Sequence, residues 1–234
     1  MITITWLGHT TFSLQLPTGE VTLIDPWIDG NPKFPAGYEI TRVDSILITH
    51  GHFDHIGGVR KLAAQFSPQI FANYEICTWL HAKGVANVNG MNKGGRAILP
   101  GGLGATMTHA LHSSGITEDD GSMVYGGDAA GYVLHLPDGR NAYFAGDTDV
   151  FSEMSFIAEL FAPSLAFLPI GDLFTMAPRG AAIACRLLGY PEVIPMHYGT
   201  FPPLTGTPAE LAALTAAKVT ELTPGLPHLS LIHI

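Results

Sequence analysis

The sequence predicts an α+β chain of one domain, with two β-sheets packed face to face and helices on the outside. Three observations lead there. Short alternating or apolar segments of strand length dominate both halves of the 234 residues, and segments of helical period follow them. Twenty-seven glycines and 17 prolines punctuate these segments, with no linker, fixed-period repeat or low-complexity stretch between them. Sheets and helices with one apolar face must bury it against another layer, and a chain of this length can build a sizeable core.

Taken in order, Ile2 to Trp6, Thr10 to Leu16 and Glu20 to Asp25 alternate like strands, and the turn Pro17 to Gly19 joins the second and third as a hairpin. Asp25 to Trp27 and Gly30 to Pro32 have loop composition, and Ile46 to Thr49 is the next strand. Gly58 to Phe66 places Val59, Leu62, Ala63 and Phe66 at helical spacing; Tyr74 to Lys83 repeats that pattern before Gly84 stops it. Strand signals return at Gly104 to Ala110, Gly131 to Leu136 and Asn141 to Ala145. Helices and strands then alternate: helix Phe151 to Phe161, strand Ser164 to Ile170, helix Pro178 to Leu188, strand Glu192 to Met196, helix Pro208 to Lys218.

Composition narrows the function. A formal charge of −9 without a Lys/Arg cluster argues against nucleic-acid partners, whose phosphates need a basic footprint. No apolar run approaches the roughly 18 residues of a membrane span, and the alternating N-terminus lacks a signal-peptide pattern, so a cytoplasmic protein is expected. Cys77 and Cys185 have no metal-type spacing and are expected as reduced, buried thiols. A homo-oligomer is compatible with all of this. Residues 1–228 are read as the domain. Residues 229–234 match the translation of a common sequencing-adapter end and are expected to be a non-native tail; a genomic reading frame running on through them would refute that.

The chemistry concentrates between His50 and His55. His50, His52, Asp54 and His55 directly follow the apolar run Ile46 to Ile48, so they sit where a buried strand gives way to a loop. Rigid strand ends hold ligands in fixed geometry, and a mixed imidazole–carboxylate set suits zinc, iron or manganese while leaving a position for water. His makes up 11 of the residues, and four such positions match by chance in about one sequence in a thousand of this composition. Three later strand ends offer partners: His109 or His112, then Asp147, then His197. Each follows an apolar strand, and His112, Asp147 and His197 each have a Gly, Ser or Thr within the next two residues, as a site on one rim of a sandwich requires. Asp25 and His9 suit a place behind the ligands, holding the far side of an imidazole. Thr175 and Met176, with Phe174 and Arg179, border a helix start led by Pro178 that could face substrate.

This pattern resembles the metallo-β-lactamase superfamily. His50-x-His52-x-Asp54-His55, then His112, Asp147 and His197, carry the general likeness. Trp6 to His9, Ile24 to Trp27, Gly30 to Pro32, His112 to Ser114, Gly146 to Thr148, Gly171 to Met176 and Met196 to Gly199 are similar to its small metal-dependent hydrolases. That branch is similar to ascorbate-6-phosphate lactonase and N-acyl-phosphatidylethanolamine phospholipase D. The resemblance runs from Trp6 to about Gly225 and departs at Ala177, where a Gly usually precedes the proline. It implies a four-layer αββα sandwich with the site between the sheet edges. It also implies that His50, His52 and His112 bind one metal, that Asp54, His55 and His197 bind a second, and that Asp147 bridges. His112 is preferred to His109 because the family's Ser-Ser follows the ligand.

Two divalent ions, zinc first with manganese or iron also fitting, balanced by only Asp54 and Asp147, leave a positive centre. That centre should generate a metal-bridging hydroxide near neutral pH and attract a small anionic substrate, with Asp54 orienting the nucleophile or passing a proton. The expected reaction is cleavage of a phosphodiester, lactone or ester. Two alternatives differ in class. A di-iron oxidoreductase wants further carboxylates and a flavin domain; a non-catalytic metal-binding protein would have lost one of the seven ligands.

Overall fold

Strand alternation in this chain sorts neighbouring residues into two cores. The computed structural model describes residues 2–229. Its first half contains β1 (Thr3–Trp6), β2 (Phe12–Gln15), β3 (Val21–Ile24), β4 (Ser45–Leu47), α1 (Phe53–Ile56), α2 (Val59–Phe66), β5 (Gln69–Asn73), α3 (Tyr74–Ala82) and β6 (Val88–Met91). The second contains β7 (Arg96–Ile98), β8 (Gly104–His109), β9 (Gly115–Thr117), β10 (Met123–Tyr125), β11 (Ala130–His135), β12 (Asn141–Phe144), α4 (Met154–Phe161), β13 (Leu165–Pro169), α5 (Pro178–Leu187), β14 (Glu192–Met196), α6 (Pro208–Leu214) and β15 (Pro227–Leu229).

The first sheet runs β15-β1-β2-β3-β4-β5-β6 and the second β14-β13-β12-β11-β8-β7, while β9 and β10 form a separate hairpin. Ile24, Leu47 and Phe71 lie abreast on β3, β4 and β5 and face the second sheet. Their neighbours Leu23, Ile46 and Ile70 are also abreast and pack with Val59 and Leu62 of α2 and Ile76 and Leu80 of α3. Adjacent residues therefore feed opposite faces of one sheet, as the two-residue period demands. Between the sheets, Phe12 meets Phe167 edge-on at 5.0 Å and Phe144 at 5.7 Å. The outer face of the second sheet packs against Met154 and Ile157 of α4 and Ala184 and Cys185 of α5. The architecture is helix, sheet, sheet, helix.

Local chemistry sets the element ends. Asn73 caps α3 by accepting from the Ile76 N–H at 2.8 Å, and Gly84 (φ 81) turns the chain away afterwards. Thr207 and Glu210 form a capping box on α6. That helix ends at Leu214 rather than Lys218. The chain then runs beside β14, where the Val193 N–H donates to the Lys218 carbonyl and the Thr220 N–H to the Val193 carbonyl. Sheet pairing has overridden helical period there. Two further differences concern the first half. β5 is a strand that the periodicity did not mark, and the histidine stretch expected as loop contains the single helical turn α1. Leu229, read as the first residue of the tail, pairs with Thr3 at the sheet edge; residues 230–234 of that tail lie outside the described residues.

β3, β4 and β5 run parallel in the first sheet, and β12, β13 and β14 run parallel in the second. Their carboxyl ends share one rim. Every expected site residue from His9 to His197 belongs to a segment that leaves that rim, Thr175 and Met176 on the one between β13 and α5.

Candidate metal centre

The backbone at the rim is held in costly conformations. His9 (φ 57), Asp25 (φ 46) and His197 (φ 55) are left-handed non-glycine residues, each just past a strand. Such residues cost about 1–3 kcal/mol apiece and persist only where surrounding packing enforces them. Asp147 is turned inward by Gly146 (φ 64). A side chain at Gly171 would strike the His197 carbonyl oxygen, so glycine is required there for the β13 and β14 turns to close together.

All seven side chains expected as ligands converge. His50 Nε2 faces His52 Nδ1 at 2.9 Å, and the His112 ring lies 5.0 Å from His50 and 5.1 Å from His52. Asp54, His55 and His197 form a second group, which His9 joins. Asp147 lies between the groups: its Oδ2 is 3.0 Å from His197 Nε2, 3.3 Å from His55 Nε2, 3.7 Å from His112 Nε2 and 3.9 Å from His50 Nε2. His55 Nε2 and Asp147 Oδ1 are buried without a hydrogen-bond partner. Buried polar atoms are normally satisfied, so unpartnered donor atoms converging on one point are what a cation site looks like.

Asp25 organises the imidazoles from behind. It is fully buried and accepts from the Thr49 N–H at 2.7 Å, the Thr49 hydroxyl at 2.6 Å and His55 Nδ1 at 2.8 Å. With its proton committed to Asp25, the Thr49 hydroxyl accepts from His50 Nδ1 at 3.0 Å. One carboxylate thus turns the Nε2 atoms of both His55 and His50 inward. His9 Nε2 donates to Asp54 Oδ2 at 3.0 Å, and its Nδ1 meets the Thr200 hydroxyl at 3.0 Å. His52 Nε2 reaches the Ser113 hydroxyl at 3.3 Å.

Charge follows from these contacts. Burial, then the neighbouring His55, lowers His50 well below the ordinary histidine value, and the same two causes lower His52. Burial also lowers His112, and burial with His197 nearby takes His9 down to about 4. These imidazoles are neutral at pH 7, the form that can ligate. Burial opposes charge on His55, but Asp147, Asp25 and Asp54 together hold it well above its usual value. Burial would raise Asp54 and Asp147, yet His55 and His9 draw Asp54 down to about 2, while His197 and His55 hold Asp147 far lower than usual. Both carboxylates are charged.

Other expected residues go elsewhere. Met176 is buried in the core and Thr175 does not reach the cleft; Phe174 of the same turn does. His109 is exposed and meets Lys93 Nζ at 3.2 Å, away from the cluster. The sequence reading missed Thr200, Phe201 and Met123. Phe201 had a usable signal, since the run Phe201 to Pro203 closely follows His197. Above the cluster opens a cleft of about 710 Å³ with Asp54, Asp147 and His197 in its floor. No helix among the described residues is long and apolar enough to cross a membrane.

Comparison with known proteins gives the family. The beta-lactamase superfamily domain matches residues 21–198. A UPF0173 metal-dependent hydrolase of Solibacter usitatus is 58% identical over 227 residues, covering 96% of this chain and 98% of its own. A UPF0173 metal-dependent hydrolase of Koribacter versatilis is 50% identical over 224 residues, covering 95% of each chain. Among solved structures, Igni18, a metallo hydrolase from Ignicoccus hospitalis, superimposes with a TM-score of 0.83 at 38% identity and 97% coverage of both chains. The isothiocyanate hydrolase from Delia radicum gut bacteria shares the fold at a TM-score of 0.71 and 18% identity, covering 97% of this chain and 98% of its own. An αββα frame and these relatives lead to one conclusion: the chain belongs to the beta-lactamase superfamily, in its UPF0173 metal-dependent hydrolase branch.

Proposed function

We propose that the chain holds two divalent ions and hydrolyses a phosphodiester, lactone or ester bond in a small anionic molecule. The observation that carries this is the position of Asp147, whose Oδ2 lies 3.0–3.9 Å from imidazoles of both groups. His50, His52 and His112 would hold one ion, Asp54, His55 and His197 the other, with Asp147 shared. The donor set fits, because His50, His52 and His112 are neutral and Asp54 and Asp147 ionised, and His55, which three carboxylates keep protonated, would give up its Nε2 proton to an incoming cation. Zinc is favoured for its tolerance of mixed N/O ligands; manganese and iron suit the same set, since no thiolate is present and both cysteines are buried elsewhere.

Bound there, the ions would supply an acidified water and positive charge opposite a developing oxyanion. The side chains do the rest. Asp25 keeps His55 and His50 in the tautomer that presents Nε2. His9 holds one oxygen of Asp54, whose side chain is 13% exposed in the cleft floor. Asp54 is charged and within reach of substrate, so it can take a proton and return it to a leaving group.

The test combines metal analysis of purified protein with assays on bis(4-nitrophenyl) phosphate and a panel of lactones. Two ions per chain and activity lost on chelation and in His52→Ala are expected. Turnover that survives both treatments, or a chain saturated by a single ion, would overturn the reading.

A further inference from the structure

We infer that the substrate carries an apolar, uncharged arm beside its reacting group. This rests on the hydrolase reading above and adds the class of molecule. The cleft combines a charged floor with greasy walls. Beyond the cluster residues it is lined by Phe53, Phe174, Phe201, Met123 and the Pro202–Pro203 pair, with only the hydroxyls of Ser113 and Thr117 as polar relief. No lysine or arginine lines it among the described residues.

Two physical consequences follow. First, a substrate with a second phosphate, a carboxylate or a bare sugar would lose hydration against these walls without gaining a partner. Negative charge is tolerated only at the floor. Second, the walls are left in water when the cleft is open: Phe53 is 56% exposed, Phe174 54% and Met123 72%. Clustered apolar exposure of this kind marks a surface built to be covered. The cleft is sized for a small molecule, and the apolar patch is continuous with the reactive floor, so the covering group is the substrate's own arm. Phe53 and Phe174 present faces suited to an aryl or medium alkyl chain, and Met123, on the β9–β10 hairpin, is a flexible thioether that can fit either.

The experiment uses the metal-loaded protein and two substrate series with a 4-nitrophenolate leaving group. One is acetate against benzoate and hexanoate; the other is methyl against phenyl phosphodiester. Each rate is divided by its uncatalysed rate. The corrected kcat/KM should rise about 10- to 100-fold from the methyl to the phenyl or pentyl arm, the range expected for burying a ring or chain of that size. Phe174→Ser and Met123→Ser, both at exposed positions, should each cut that ratio several-fold. Calorimetric binding of phenylphosphonate against methylphosphonate needs no turnover and should show the same preference. Turnover without arm preference, or preference for a carboxymethyl arm, overturns this inference and leaves the hydrolase standing. Preferential phenylphosphonate binding with no turnover of either series supports the apolar arm and sinks the hydrolase instead.

Discussion

The two halves of the candidate metal centre are built from the same residue types but held very differently. Around His55 and His197 everything is buried: Asp25 and Thr10 hold His55, while His9, itself braced by Thr200, holds Asp54. Around His52 and His112 the rings are half-buried, and besides the contact between His50 and His52 the support among the described residues is Ser113 behind His52 and Thr49 behind His50. The deep half also carries carboxylates of its own, whereas the outer half has only its share of Asp147. Carboxylates crowded in a low-dielectric pocket repel one another unless cations lie between them. The deep half should therefore bind its ion more tightly, and the outer half should exchange its ion with solvent more easily.

The largest expected effect breaks the comparison by removing what the halves share. Asp147→Asn takes one negative charge from both at once and leaves a neutral amide facing the imidazoles. Metal content should drop in both halves, and kcat/KM should fall by about a thousandfold or more, the scale of losing a metal's charge stabilisation. Elemental analysis alongside steady-state rates decides it. Loss of one ion with the other retained at full affinity would show that Asp147 belongs to one half alone.

Asp25→Asn comes next, because Asp25 acts on both halves from behind. An amide can still accept from Thr49, but it cannot also orient His55 and, through Thr49, His50. Metal affinity should weaken about 10- to 100-fold, the usual cost of losing a carboxylate behind a ligating histidine. The loss should be greater for the deep ion, whose ligand His55 touches Asp25 directly. Competition with a chromophoric chelator would show two unequal shifts; equal shifts would mean that the relay through Thr49 matters as much as the direct bond.

Much of the centre was legible in the sequence, and what was not has physical reasons. His50, His52, Asp54 and His55 lie within six residues and follow an apolar strand, so their spacing alone marked a candidate ligand set. Asp147 and His197 were legible because each ends a buried strand of a parallel sheet, where the fold leaves few alternatives. The roles of Thr200 and Ser113 are not encoded by pattern: a hydroxyl becomes a partner only when a ring from a distant turn comes within reach. Thr175 and Met176 were expected at the substrate because they precede a helix start, but the left-handed turn at Asp172 and Leu173 exposes Phe174 and folds Met176 into the core. β5 escaped notice because Ile70 to Ala72 is too short a run to show a period, and only pairing with β4 and β6 makes it a strand.

A smaller effect concerns the protein stripped of metal by a chelator. Folded His9 takes a proton only near pH 4, and His50 lies well below its usual value, whereas both titrate near 6.5 when unfolded. The unfolded chain thus binds more protons between about pH 6.5 and 4, so stability falls as the pH falls through that window. His9 alone contributes up to about 3 kcal/mol of that loss. His55 acts in the opposite sense but elsewhere: its raised value stabilises below 6.5 and is lost only as the pH rises through its folded value. Thermal melts from pH 7 to 4 should slope downward, and His9→Asn, a residue that tolerates the left-handed backbone, should flatten part of the slope. An unchanged slope in that variant would assign the acid sensitivity to the outer half.

The finest distinction lies in the outer half itself. Ser113 supports it from outside the first sheet, its hydroxyl meeting His52 Nε2 at 3.3 Å, a long contact near a half-buried ring. Water can replace a hydroxyl there, so Ser113→Ala should cost only a few-fold in affinity for the outer ion, in keeping with about 1 kcal/mol for a typical hydrogen bond. The neighbouring Ser114 is different. It accepts from the Gly51 N–H at 3.0 Å and donates to the Gly126 carbonyl at 2.9 Å, tying the β9–β10 segment to the histidine loop, and it is buried. Comparing the two alanine variants therefore separates orientation of one ring from anchorage of the whole outer half. If Ser113→Ala matched Ser114→Ala in metal loss, His52 would depend on that serine as strongly as His55 depends on Asp25, and the two halves would no longer differ in how they are held.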